Sequence, residues 1–197
     1  MTNDSPIRWR DIARWVFAGV VGWLLGVLFF IHMPEFIPDI GGLGVGLLVN
    51  AFLSGIVIGA IQWISLKRTL PRPASWIFAT GLGFLIAIVL FFKLTSLDIE
   101  STLLTSIILG LILGLSIGLL QTVSWHRHRG RVRWWTTSTV LGTIAGFLVV
   151  LLIESWPLLS QLVPSDGLIF LIVPALMNSL TGLALRYHMQ LRPSVPY

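Results

Sequence analysis

Six long apolar stretches, separated by short polar connections, set the pattern of this chain. They lie near Trp15 to Met33, Gly42 to Leu66, Ala74 to Phe92, Ser101 to Trp125, Trp134 to Ile153 and Gly167 to Leu185, and none contains Lys, Arg, Asp or Glu. Crossing a hydrocarbon core takes roughly 20 helical residues, so each stretch predicts a membrane-spanning helix. Six spans and their connections use almost all of the 197 residues. The expectation is one all-α membrane domain over residues 1–197, a six-helix bundle with no soluble domain beside it.

Small residues recur within the spans. "ARWVFAGVVGWLLG" (Ala13 to Gly26) and "ASWIFATGLGFLIA" (Ala74 to Ala87) share six of fourteen positions at an offset of 61. The fifth span repeats the skeleton as Trp135, Ser138, Gly142 and Gly146. The second and fourth spans match through Gly55, Gly59 and Gln62 against Gly114, Gly118 and Gln121, and the sixth carries a degenerate copy with Asn178, Gly182 and Leu185. Three two-helix units of like orientation are implied, near residues 9–68, 69–127 and 128–190.

Spacings of 3, 4 and 4 put Trp15, Ala18, Gly22 and Gly26 along one helical face, and likewise Trp76, Ala79, Gly83 and Ala87. Ala51, Gly55 and Gly59, then Gly110, Gly114 and Gly118, form comparable stripes in the even spans. In lipid, small residues let backbones approach closely and interhelical polar bonds act as glue. These residues are predicted to be helix contacts. Gln62 and Gln121 continue their stripes and should point into the bundle, at the level where Trp15, Trp76 and Trp135 begin the odd spans. Two readings follow: an interior layer in which the amides accept from or pack over those tryptophans, or an aromatic belt at the headgroups with amides reaching to water. Trp63, Trp125 and Trp134 lack the repeat's register and fit the belt.

Composition agrees with a membrane protein. Hydrophobic residues make up 55% and charged residues 11%, against about 25% charged in soluble domains; mean hydropathy is +0.90. Arg8, Arg10 and Arg14 precede the first apolar run as in a signal peptide, but "IHMPEF" follows in place of a small-x-small cleavage site. That span is expected to be retained. With no cysteine, disulfides and thiolate metal sites are excluded.

Charge sets the orientation. Twelve of the 13 Lys and Arg residues fall on one side, with Lys93 the exception, while Glu35, Asp39, Asp98, Glu100, Glu154 and Asp166 fall on the other. The positive-inside rule then predicts both termini in the cytoplasm. The net charge of +5 is explained by topology and needs no nucleic-acid partner. Lys67, Arg68, Arg72, Arg127, Arg129, Arg131 and Arg133 line two short cytoplasmic loops, suited to anionic headgroups or a protein partner.

Candidate chemistry is sparse. In "HRHRGRVR" four arginines oppose a metal at His126 and His128, and no carboxylate is near. His32, at a span end, is the best of a weak set for ligating a pigment or haem. Glu35 with Asp39 and Asp98 with Glu100 form loose outer pairs that charge segregation already accounts for. No G-x-S-x-G, H-E-x-x-H or Walker sequence is present, so neither catalytic residues nor a cofactor is expected, although bound lipid or pigment is compatible with the sequence. Ionisable residues inside spans mark coupled transport, and these spans contain none.

At Gly55, Gly59, Gln62, Trp63, Leu66, Lys67 and Arg68 the chain resembles a group of small multi-pass membrane proteins, common in phototrophic bacteria, with G-x-x-x-G-x-x-Q-W-x-x-L-[KR]-R repeats. The second copy has Thr122 and Trp125 at the motif tryptophan and leucine. The resemblance implies a bacterial cytoplasmic or photosynthetic intracytoplasmic membrane. The resulting expectation is a non-enzymatic accessory or scaffold subunit of a larger membrane complex. The alternative is a membrane component that binds or transports an uncharged solute or lipid.

Overall fold

The computed structural model describes residues 9–32, 43–67, 73–95, 101–124, 129–156 and 165–190. They form six α-helices: α1 (Trp9–His32), α2 (Leu43–Leu66), α3 (Pro73–Thr95), α4 (Thr102–Val123), α5 (Arg129–Glu154) and α6 (Ser165–Gln190). Each holds a segment of 19 to 24 residues that is long and apolar enough to cross a membrane. At 1.5 Å per residue such segments match a hydrocarbon thickness of about 30 Å. α1 begins before its apolar stretch, and there Arg10, Asp11 and Arg14 are exposed.

Local chemistry sets several helix ends. Pro73 opens α3, where a missing N–H breaks no bond. Ser101 caps α4: its Oγ accepts from the Leu104 N–H at 3.3 Å and its carbonyl from the Thr105 N–H at 2.9 Å. Pro174 lies inside α6 and deprives that helix of one N–H.

The helices form a closed ring. Each packs against its neighbours in the chain, and α6 returns to pack against α1. Glycine makes the approach possible at successive seams. A Cβ on Gly22 would lie 3.3 Å from the Ile58 carbonyl oxygen, one on Gly83 2.8 Å from Ile117 Cα, and one on Gly142 2.5 Å from Met177 Cα. Those three contacts join α1 to α2, α3 to α4 and α5 to α6. Gly55 and Gly59 of α2 face α3, Gly110, Gly114 and Gly118 of α4 face α5, and Gly182 of α6 faces Ile12 and Trp15 of α1. The ring therefore closes with a glycine at its last seam as well, here facing side chains where the other seams meet backbone. Gly26 and Gly146 add contacts with Ile58 and Val173.

Ala18 lies at the edge of the buried face. It is half-buried, while neighbouring Gly19 is buried together with Trp15, Gly22, Trp23 and Gly26. A helix in a ring meets a neighbour on each flank, so its buried arc is wider than one 3-4-4 stripe and Ala18 sits at the margin. Ala79 is buried as expected.

The interior has two parts. Trp23, Val27, Ala51, Ile58, Phe84, Ile117 and Met177 form an apolar cluster along the ring, and Trp15, Trp76, Trp135 and Leu185 form a second cluster near the starts of α1, α3 and α5. The second cluster borders the polar side chains described next.

Candidate functional site

Three tryptophans from alternate helices meet inside the ring. Ring centroids of Trp76 and Trp135 are 5.4 Å apart at 73°, those of Trp15 and Trp76 6.2 Å at 69°, and those of Trp15 and Trp135 5.7 Å at 58°. The first two pairs are edge-to-face and the third is tilted; edge-to-face pairs add about 0.5–1.5 kcal/mol each beyond area burial. All three rings are buried.

Beside them lies a hydrogen-bonded set of neutral side chains. Trp135 donates its indole N–H to Gln121 Oε1 at 3.0 Å. Gln121 Nε2 donates to Gln62 Oε1 at 3.2 Å and to Thr80 Oγ1 at 3.0 Å. Gln62 Nε2 donates in turn to Asn178 Oδ1 at 3.4 Å, and Asn178 Nδ2 to the Pro174 carbonyl at 2.7 Å. These bonds join α2, α3, α4, α5 and α6. A parallel bond brings in α1, as Trp15 donates its N–H to Thr181 Oγ1 at 3.1 Å.

The threonines become acceptors because their own protons are already used. Thr80 Oγ1 donates to the Trp76 carbonyl at 2.9 Å and Thr181 Oγ1 to the Met177 carbonyl at 2.9 Å, each one turn back on its own helix. That leaves oxygen lone pairs facing the bundle. Thr139 repeats the arrangement with the Trp135 carbonyl at 2.8 Å. The Thr143 hydroxyl lies 3.0 Å from the Thr139 carbonyl one turn back and also reaches across a seam to the Gly110 carbonyl at 2.7 Å.

Gln62 and Gln121, expected at this level, are both buried there together with the three tryptophans. Their partners differ from the expected ones. Only Gln121 accepts from a tryptophan; Gln62 bonds to two other amides, and Trp15 bonds to a threonine. Trp63 is corrected from the belt. It is half-buried, packs against the tryptophan cluster, and buries its Nε1. One residue turns a helix by about 100°, so the neighbour of an inward Gln62 still lies partly inward. Trp134 is exposed and Trp125 lies outside the described residues.

Thr80, Asn178 and Thr181 entered the layer without a prediction as bonding partners. Thr80 and Thr139 each follow a repeat tryptophan by four residues, and Thr80 lies within the aligned stretch Ala74 to Ala87, opposite Gly19. Lys67 and His32 are exposed. Arg68, Arg72, Arg127, His126 and His128, and the side chains of Arg129, Arg131 and Arg133, lie outside the described residues, as do Glu35, Asp39, Asp98 and Glu100.

The layer contains no charged group, so its bonds are those of neutral amides, hydroxyls and indoles. Such a set orients and fastens helices. Comparison with known protein families, with curated proteins and with solved structures gives no match to the chain. The class follows from the fold: the described residues are helical, with six helices long and apolar enough to cross a membrane, as in a multi-pass membrane protein.

Proposed function

We propose that the protein is a non-enzymatic accessory or scaffold subunit, built from three parallel two-helix repeats with both termini in the cytoplasm. The observation that carries this reading is the filling of the ring's interior by Trp15, Trp76 and Trp135, whose centroids are 5.4–6.2 Å apart. Indoles packed edge against face and bordered by mutually bonded amides favour a fixed structural body over a conduit. The small-residue faces lie within the ring, so a partner subunit would dock on bulkier perimeter side chains such as Phe17, Phe78 and Leu119, all exposed. The basic loops would meet anionic headgroups or the same partner. The bacterial and photosynthetic or bioenergetic setting rests on the motif resemblance alone.

Extraction in mild detergent followed by native mass measurement tests the proposal. A scaffold subunit co-purifies in fixed stoichiometry with other membrane proteins. A lone monodisperse species carrying a small molecule would overturn it and favour the second reading, a lipid- or solute-binding component. One observation supports that second reading: a groove of about 330 Å³ between α2 and α3, lined by Leu47, Leu48, Ile88, Val89 and Phe92 with Lys93. Its apolar wall and single cation suit an amphiphilic lipid.

A further inference from the structure

The first two helices hold polar atoms that the tryptophan layer does not use. Asn50 is 2% exposed and Ser54 0%, and both lie on α2 beyond the level of Gln62. Asn50 Nδ2 donates to the Phe30 carbonyl at 2.6 Å. Phe30 belongs to the last turn of α1, where carbonyls have no N–H four residues further along the helix. The bond also orients the amide, because turning it over would set Oδ1 against another acceptor. Oδ1 is thereby the free end of the amide, and no group among the described residues donates to it.

Ser54 Oγ, one helical turn along, is likewise buried without a hydrogen-bond partner among the described residues. Residues four apart on a helix hold their Cβ atoms about 5–6 Å apart. A single water spans that interval with two hydrogen bonds of about 2.8 Å. Buried polar atoms nearly always have a partner, and ordered water supplies it where the protein does not. Sequence also indicates room: at the corresponding positions α4 carries Leu109 and Leu113, and α6 carries Val173 and Met177. Ser54 is shorter than Leu113 or Met177, and only this pair of positions is polar.

We infer that α2 binds a structural water molecule bridging Asn50 Oδ1 and Ser54 Oγ. The water completes an end cap in which Asn50 holds the last turn of α1 with its nitrogen and the solvent molecule with its oxygen. The site is independent of the accessory-subunit reading and stands whichever function the protein has.

Magic-angle-spinning NMR of the labelled full chain in deuterated bilayers, with magnetisation transferred from water protons, tests this directly. The Asn50 side-chain amide should build up several-fold faster than that of Gln121, both of whose amide hydrogens bond to protein. Ser54→Leu, which copies Leu113, should bring Asn50 down to the Gln121 rate. Equal rates in the unmodified protein overturn the inference, and so does a fast Asn50 rate that survives S54L.

Discussion

Trp135 donates its indole N–H to Gln121 Oε1 across 3.0 Å, and that bond sets the direction of a chain of amides. An indole nitrogen only donates, so Gln121 must present its oxygen to Trp135 and its nitrogen to Gln62. Gln62 then donates to Asn178, and Asn178 to the Pro174 carbonyl, a group that only accepts. Both ends have a single role, so no amide in between can be turned over without breaking bonds. Four helices are held in one register by a sequence of donors that runs one way, and a side bond from Gln121 to Thr80 adds α3.

Gln121 is the hub, with one accepted and two donated bonds, and its replacement should cost the most. Interhelical bonds in membranes average about 0.6 kcal/mol with a maximum near 1.7. Gln121→Leu is therefore expected to lower stability by roughly 1–3 kcal/mol, and Gln62→Leu by less. In the double variant the losses should not add, because the two side chains share a bond. Reversible unfolding in micelles or bicelles measures all three; unchanged stability in Q121L would show that the layer does not fasten the bundle.

Glycine substitutions should separate seams from open surface. A Cβ on Gly114 would lie 2.6 Å from Val140 Cα, whereas one on Gly44 meets nothing within 4 Å. Backbone cannot yield as a side-chain tip does, so Gly114→Ala should destabilise by about 1–3 kcal/mol. Gly44→Ala should be neutral or gain up to about 1 kcal/mol from helix propensity. Thermal unfolding of the two variants side by side decides the matter, and similar melting temperatures would count against a tight α4–α5 seam.

At one position of the α6–α1 seam the bulk sits on the opposite helix. Gly59 of α2 meets Thr80 of α3 and Gly118 of α4 meets Thr139 of α5, but the space beside Gly19 of α1 is filled by the amide of Asn178. Gly19→Ala is therefore expected to lose about 1–3 kcal/mol. Adding Asn178→Gly should relieve the crowding and recover part of that loss despite the missing amide bond. A double-mutant cycle with no coupling between the positions would refute this size exchange.

Sidedness is open to a background-free test, since the chain has no cysteine. Lys67→Cys and Ser101→Cys both place a thiol at an exposed position. A membrane-impermeant maleimide should label K67C only from the cytoplasmic face and S101C only from the outer face. The reverse pattern would invert the proposed topology.

Much of this arrangement is written in local geometry. Helical periodicity is a property of the backbone, so six apolar runs specify six helices, and the spacing of Gly22, Gly83, Gly114 and Gly142 identifies contact positions without any knowledge of neighbours. The same periodicity aligns Gln62 and Gln121 with their small-residue stripes. Which donor meets which acceptor is not local. Leu185 replaces the third glutamine, and Asn178, one to two turns away, supplies the amide that Gln62 bonds. Closure of α6 on α1 rests on Gly182 meeting Ile12 and Trp15, a contact between the two ends of the chain. Sequence determined the helices, their apolar character and their inward small and polar faces, because these depend on residues within a few turns. Only the tertiary structure decided the ring and the direction of its hydrogen bonds, because both depend on distances between side chains far apart in the chain and on how each seam shares its volume.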